Sequence, residues 1–171
     1  AKMGYKTTIF EALPYGGGML AVAIPEFRLP RTVLEREIKY IEAKGVEILY
    51  DSPIDEYHTL EDLRAEGYDA VFIAAGAHKS QSLGIPGERH DLEGLAYGLH
   101  LLRDVKSGQS LSIGNRVVII GGGNTAIDAA RSVLRKGARH VTIMYRRSRD
   151  EMPVSIYELT RAQEEGVEIQ F

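Results

Sequence analysis

Gly121, Gly123 and Ala126 stand in the spacing G-x-G-x-x-A, between the apolar run RVVII (116–120) and an amphipathic stretch from Asn124 to Lys136. Those residue types at that spacing suit a pyrophosphate. Gly121 permits a tight turn from strand into helix, and Gly123 lets the backbone approach a phosphate. Ala126 is small enough for the helix to pack closely on the strand. Free amides at the helix start, aided by the helix dipole, then face the negative charge. Asn124 and Thr125 add polar side chains at the same point, and Gly122 completes the loop. A glycine trio alone also fits a plain strand–helix turn that binds nothing. Context separates the two readings, because a strand precedes it, a helix follows, and a second strand ends about 20 residues on. A dinucleotide site is expected.

The tip of that second strand sorts one dinucleotide from another. A carboxylate there hydrogen-bonds a ribose 2′-hydroxyl, whereas arginine accommodates a 2′-phosphate. After VTIM the chain reads Tyr145, Arg146, Arg147, Ser148, Arg149, with no carboxylate before Asp150. The guanidinium fork matches a phosphate dianion. NADP(H) is therefore expected over NAD(H), with Arg146 and Arg147 on the phosphate and Arg149 a further candidate. The alternative is a solvated basic loop. Residues 131–149 hold seven Lys or Arg and no Asp or Glu, which points to an anion nearby. On the helix, Ala126, Ala129, Ala130, Val133 and Leu134 form the packing stripe, leaving Asp128, Arg131 and Arg135 to face outward.

These parts need elements to hold them, and the chain supplies two similar sets. RKGARHVTIMYRR resembles AKMGYKTTIFEA at the very start, and EEGVEIQF echoes AKGVEILY. In the first set, 7–10 reads as a strand and residues 30–45 as a helix with Leu34, Ile38 and Ile41 on one face. Thr32 with Glu35 forms an expected capping box there, and Gly45 a stop. VEIL (46–49) is the next strand, a short helix starts at Thr59, and DAVFIAAGA (69–77) reads as a buried strand. LGIPGERHDLEG (83–94) breaks the pattern as a domain crossing. In the second set a helix covers 94–104, strands lie at 116–120, 141–145 and 167–171, and a helix starts from Ser155 with Glu158 as its box partner. Strands alternating with helices predict an α/β protein of two Rossmann-like parallel-sheet units, divided as 1–88 and 89–171. Both ends read as cut. In the first copy Glu11 occupies the place of the ribose-binding acid, which fits the adenosine end of FAD. The glycines of PYGGGML beyond it fit either a cofactor loop or a plain turn.

Composition excludes other classes. The 171 residues carry a net charge of −3 and no cysteine, so disulfides and Cys-ligated metals within the chain are excluded. The five histidines, 58, 78, 90, 100 and 140, lack metal-ligand spacing. A sequence pI near 6.0 does not fit a general nucleic-acid binder. No apolar run approaches the roughly 20 residues of a membrane span, and a cytoplasmic location is expected. Lys and Arg number 9 against 14 Asp and Glu in residues 1–88, but 12 against 10 in residues 89–171.

Taken together, GGGML…IPEFRLP, YDAVFIAAGA, LGIPGE, GGGNTAIDAARSVLRKGARHVTIMYRR…EMP and EEGVEI resemble the small (beta) subunit of NADPH-dependent glutamate synthase and its relatives. Those relatives include the flavoprotein subunit of ferredoxin:NADP oxidoreductases and the flavin–NADPH region of dihydropyrimidine dehydrogenase. The resemblance covers essentially the whole chain. It implies a flavin domain interrupted by an NADPH domain, hydride passing between NADPH and FAD, and electrons relayed to iron–sulfur centres. Those centres lie in a partner domain or a large catalytic subunit. By resemblance, Glu11 would hold the FAD ribose, Tyr15, Gly17, Gly18 and Met19 would line its pyrophosphate, Arg28 would touch the cofactor, and Ile54 would lie near the adenine. Gly122, Gly123, Asn124 and Thr125 would line the NADPH pyrophosphate. The family's first glycine fingerprint and its cysteine-rich module are absent, and Ala23 stands where glycine is usual. This implies an incomplete FAD site and an isolated chain without activity. A non-catalytic NADP(H)-binding regulatory module is the alternative reading.

Overall fold

The structure, a computed structural model, describes residues 1–89 and 91–171; His90 lies outside the described residues. The chain forms two compact units, Ala1–Val22 with Glu26–Ala77, and Ala23–Pro25 with His78–Phe171. The division falls at Ala77–His78, so the Gly- and Pro-rich segment 83–94 belongs within the second unit.

In the first unit, β1 (Thr7–Phe10) pairs in parallel with β2 (Val46–Leu49), Thr7 opposite Val46 and Phe10 opposite Leu49. Helix α1 (Gly18–Val22) and helix α2 (Arg31–Glu42) lie in the crossover between them. The predicted face of α2 is only partly used: Leu34 is buried and Ile38 half-buried, but Ile41 is exposed. The Thr32–Glu35 capping box does not form. Pro30, already held at φ −58°, is the residue before the helix, so Thr32 falls inside the first turn. Glu26 accepts the Arg31 amide at 3.0 Å instead, and Glu35 pairs with Arg31 Nε at 2.8 Å. Gly45 ends the segment at φ +83°, the left-handed angle expected of it. Helix α3 (Leu60–Ala65) follows, with a complete capping box between Thr59 and Asp62.

The expected strand at 69–77 is a correction. That segment has no strand pairing, and Val71, Phe72 and Ile73 are exposed, Phe72 by 91%. An apolar run becomes a strand only where an edge accepts its backbone hydrogen bonds, and among the described residues β1 and β2 pair only with each other.

The second unit carries the sheet β3–β4–β5, all parallel: β3 (Arg116–Ile120), β4 (His140–Met144) and β5 (Val167–Gln170). Helix α4 (Gly98–Ser107) starts later than 94, because Leu92–Leu95 is still a turn. Lys106 reaches the Ile24 carbonyl at 2.6 Å, tying residues 23–25 to this unit. Helix α5 (Asn124–Arg135) and helix α6 (Ile156–Glu164) cover the sheet through Ile127, Ala130, Val133, Val141, Ile143 and Leu159. Val118, Ile120 and Met144 stay exposed. At α6 half of the expected box is present. Ser155 accepts the Glu158 amide, but the Glu158 carboxylate is turned to Arg131 and does not reach back. Among the described residues no helix is long and apolar enough to cross a membrane, and no group of three or more His, Cys, Asp or Glu could hold a metal ion.

Candidate functional site

Strand β3 ends at Ile120, opposite Met144, and the Gly121 amide donates to the Met144 carbonyl at 3.0 Å. Gly121 then turns at φ +140°, a backbone angle that side chains disfavour. A Cβ on Gly121 would sit 3.6 Å from that of Ala126, in ordinary contact, and Ala126 is buried. The close helix–strand approach expected from Ala126 is present. Gly123 is the residue before α5 and its carbonyl receives the Ala126 and Ile127 amides at 3.0 and 3.2 Å. No side chain caps α5, and the amides of Asn124 and Thr125 take no acceptor among the described residues. Nothing lies within 4 Å of where a Gly123 side chain would stand. The first turn of α5 therefore presents two open donors, the amides of Asn124 and Thr125. Gly98, the first residue of α4, abuts Thr125 beside it.

Gly122 owes its identity to a partner the sequence reading did not name. A Cβ there would fall 2.5 to 2.8 Å from three atoms of the Tyr145 ring. Tyr145 follows β4; its amide donates to the Gln170 carbonyl at 2.9 Å and its hydroxyl to the Glu151 carbonyl at 3.0 Å. The glycine loop and the strand tip are thus in direct contact. Beyond Tyr145 come Arg146 and Arg147, both exposed and without a hydrogen bond or ion pair among the described residues. Arg149 contacts the Gln163 side-chain oxygen at 3.4 Å. The loop closes where Glu151 accepts from the Ser148 amide and hydroxyl at 3.1 and 2.9 Å.

Two other arginines of the basic run have a different fate. Arg131 does not face outward; it is buried beneath α6 and bonds Glu165 at 2.8 and 3.0 Å and Glu158 at 3.1 Å. Arg135 bonds the same Glu165 at 2.6 and 2.8 Å. Hydrogen bonds from Arg135 and Arg131 hold the Glu165 carboxyl at about 2, well below its ordinary 4.5. Asp128 is buried too, contrary to the outward face expected of it. The helix stripe could not reveal this, because α6 lies over that side of α5. Part of the basic run is thus structural, through Arg131 and Arg135.

In the first unit Glu11 follows β1 directly and is half-buried. Its amide bonds the Leu49 carbonyl at 2.9 Å, its carbonyl accepts Ser52, and one carboxylate oxygen accepts the Leu13 amide at 3.0 Å. The loop after β2 is thereby drawn to Glu11, and Ile54, 40% exposed, lies in that loop. Gly17 turns at φ +112° with Leu34 packed where a side chain would start, and Gly18 and Met19 open α1. Tyr15 lies under the Arg31 guanidinium at 5.8 Å. Tyr50, whose hydroxyl is pushed up by burial and by the charges of Glu42 and Glu11, packs beside Gly16. Arg28 is half-buried in the turn before α2.

Parallel sheets in two units, with a glycine turn opening a helix at the carboxyl end of one of them, define a Rossmann-like dinucleotide-binding fold of the oxidoreductase type. The chain belongs to the pyridine nucleotide-disulphide oxidoreductase family, whose sequence profile matches residues 1–171. It is 48% identical over 171 residues to the NADPH-Fe(3+) oxidoreductase subunit beta of Geobacter sulfurreducens, covering 98% of this chain and 25% of that one. It is 41% identical over 179 residues to the NADPH glutamate synthase small chain of Halomonas elongata, covering 98% of this chain and 37% of the relative. The resemblance read from the motifs holds at this level. Mycobacterium tuberculosis FprA in complex with NADPH shares the fold, at a TM-score of 0.74 and 24% identity, over 93% of this chain and 40% of that structure. The chain thus spans a quarter to two fifths of these three proteins.

Proposed function

We propose that this chain forms the NADPH-binding region and part of the flavin-binding region of an oxidoreductase that passes hydride between NADPH and FAD. The observation that carries the reading is the contrast among the arginines: Arg131 and Arg135 are consumed by Glu158 and Glu165, whereas Arg146 and Arg147, which follow the tyrosine packed on the glycine loop, meet no protein anion among the described residues. In this reading Gly121, Gly122 and Gly123 bring the backbone to the pyrophosphate, and the Asn124 and Thr125 amides hydrogen-bond it. Ala126 lets α5 start close to the sheet. Arg146 and Arg147 grip the 2′-phosphate, with Arg149 at the margin of the same loop. Residues 89–171 are the NADPH domain and residues 1–88 the flavin part.

The first unit fits a dinucleotide with a bare ribose. One oxygen of Glu11 is free to accept the sugar hydroxyls, since only the other takes a bond among the described residues. Gly17, Gly18, Met19 and Tyr15 line the adjoining loop, and Arg28 and Ile54 contribute from the turns on either side. When both cofactors are bound the chemistry is hydride transfer, in which the protein supplies position and electrostatics and no side chain here acts as acid or base. The relatives are named as a subunit beta and a small chain, which fits a place in a larger assembly, and in this reading electrons pass on to iron–sulfur centres of a partner domain or large subunit. A regulatory NADP(H)-binding module has no need of the Glu11 half, which favours the enzymatic reading.

The test is a titration of NADPH and NADH against the wild type and Arg146→Ala/Arg147→Ala. Loss of charge-assisted bonds of about 1.5–3 kcal/mol each is expected to weaken NADPH at least about tenfold and leave NADH unchanged. Equal affinities for the two nucleotides, unaltered in the variant, would overturn the assignment.

A further inference from the structure

We infer that Tyr145 is a positioning residue for nucleotide selectivity: by bracing the arginine loop against the glycine loop, it sets the spacing at which the site reads a 2′-phosphate. The inference rests on the NADPH reading above.

Tyr145 occupies the strand tip where a ribose-binding fingerprint has a carboxylate. A phenol there removes the group that rewards an unphosphorylated sugar. Its contacts do more than fill the position. The amide is fixed to β5 through Gln170, the ring lies against Gly122, and the hydroxyl bonds the Glu151 carbonyl. That last bond closes a ring of chain that contains Arg146 and Arg147. Ser148 and Glu151 brace the far side of the same ring. One side chain therefore touches both the loop that would meet the pyrophosphate and the loop that would meet the extra phosphate.

Spacing matters because the two anionic groups of the ligand are joined by covalent bonds of fixed length. Two long, flexible arginines profit from a loop already held at the matching separation, since less ordering is then required on binding. Among the described residues neither arginine is held by a protein partner, so the loop backbone is what positions them. A ligand lacking the 2′-phosphate gains nothing from that spacing.

The experiment compares Tyr145→Phe with wild type in the full chain, measuring NADPH and NADH dissociation constants and the thermal midpoint. The phenylalanine keeps the ring on Gly122 and removes only the loop closure. The expected result is a three- to tenfold fall in the NADPH-to-NADH affinity ratio, about the effect of one hydrogen bond, with NADH unchanged. Ser148→Ala opens the loop from its other end and is expected to shift the ratio the same way, which keeps the test decisive if Tyr145→Phe fails to fold. An unchanged ratio in both variants, with the ratio collapsing in Arg146→Ala/Arg147→Ala, would overturn this inference and leave the NADPH reading standing. Equal weakening of both nucleotides in Tyr145→Phe would also overturn it. No preference for NADPH in the wild type would overturn the NADPH reading itself.

Discussion

At Gly122 and Gly123, neighbours in the same loop, an added methyl group meets opposite surroundings. Beside Gly122 it would collide with the Tyr145 ring at 2.5 Å, while at Gly123 it meets nothing within 4 Å. Gly123 also has φ −91°, which alanine adopts without strain. Gly122→Ala is therefore expected to cost about 1–3 kcal/mol of stability, the range for overpacking a filled space. Gly123→Ala, at the residue just before α5, should lower the melting temperature less than Gly122→Ala yet weaken NADPH, since the proposed pyrophosphate site lies on its open face. Thermal melts and nucleotide titrations on the two variants check both halves. A ligand-independent loss at Gly123 as large as that at Gly122 would show that its surroundings are structural after all.

Among the elements, the contact of α5 with α6 through Arg131, Arg135, Glu158 and Glu165 has a clear pH signature. Glu165 binds its proton far less readily in the folded chain than its ordinary value of 4.5, at about 2. Its contribution to stability is complete above about 4.5 and is lost as pH falls toward 2. Glu165→Gln should destabilise the chain by about 1.5–3 kcal/mol at neutral pH and flatten the acid limb of the stability curve between those values. An unchanged acid limb in denaturant titrations at pH 5, 4 and 3 would contradict this. The same elements show what sequence can and cannot convey. The strands at 7–10, 46–49 and 116–120, helix α5 and the Gly121 turn were legible because their signals are local: β-branched runs, a helical stripe, a glycine at a positive φ. The side of α5 under α6 was not, because burial of Arg131 depends on where a later helix packs. Nor was the failure of 69–77 to pair, since a strand needs an edge as well as an apolar composition. The Tyr145–Gly122 contact joins residues distant in sequence; the only local hint was an aromatic residue where an acid was expected.

For the molecule as a whole, the two units differ in how well they enclose their chain. The first buries little beyond Val22, Leu34 and Leu63, and leaves the apolar residues 71–73 in water. The second surrounds α5 so completely that every residue from Ala126 to Val133 is buried. Local opening follows such differences, from near zero where backbone is unpaired up to the global value in a core helix. Deuterium should therefore enter residues 70–77 within the first moments of labelling and enter 127–133 last of all, and mass spectrometry of proteolytic fragments would follow both. Comparable uptake in the two stretches would refute this. The donors at the start of α5 would then be mounted on the slowest-breathing part of the chain, ready before any nucleotide arrives.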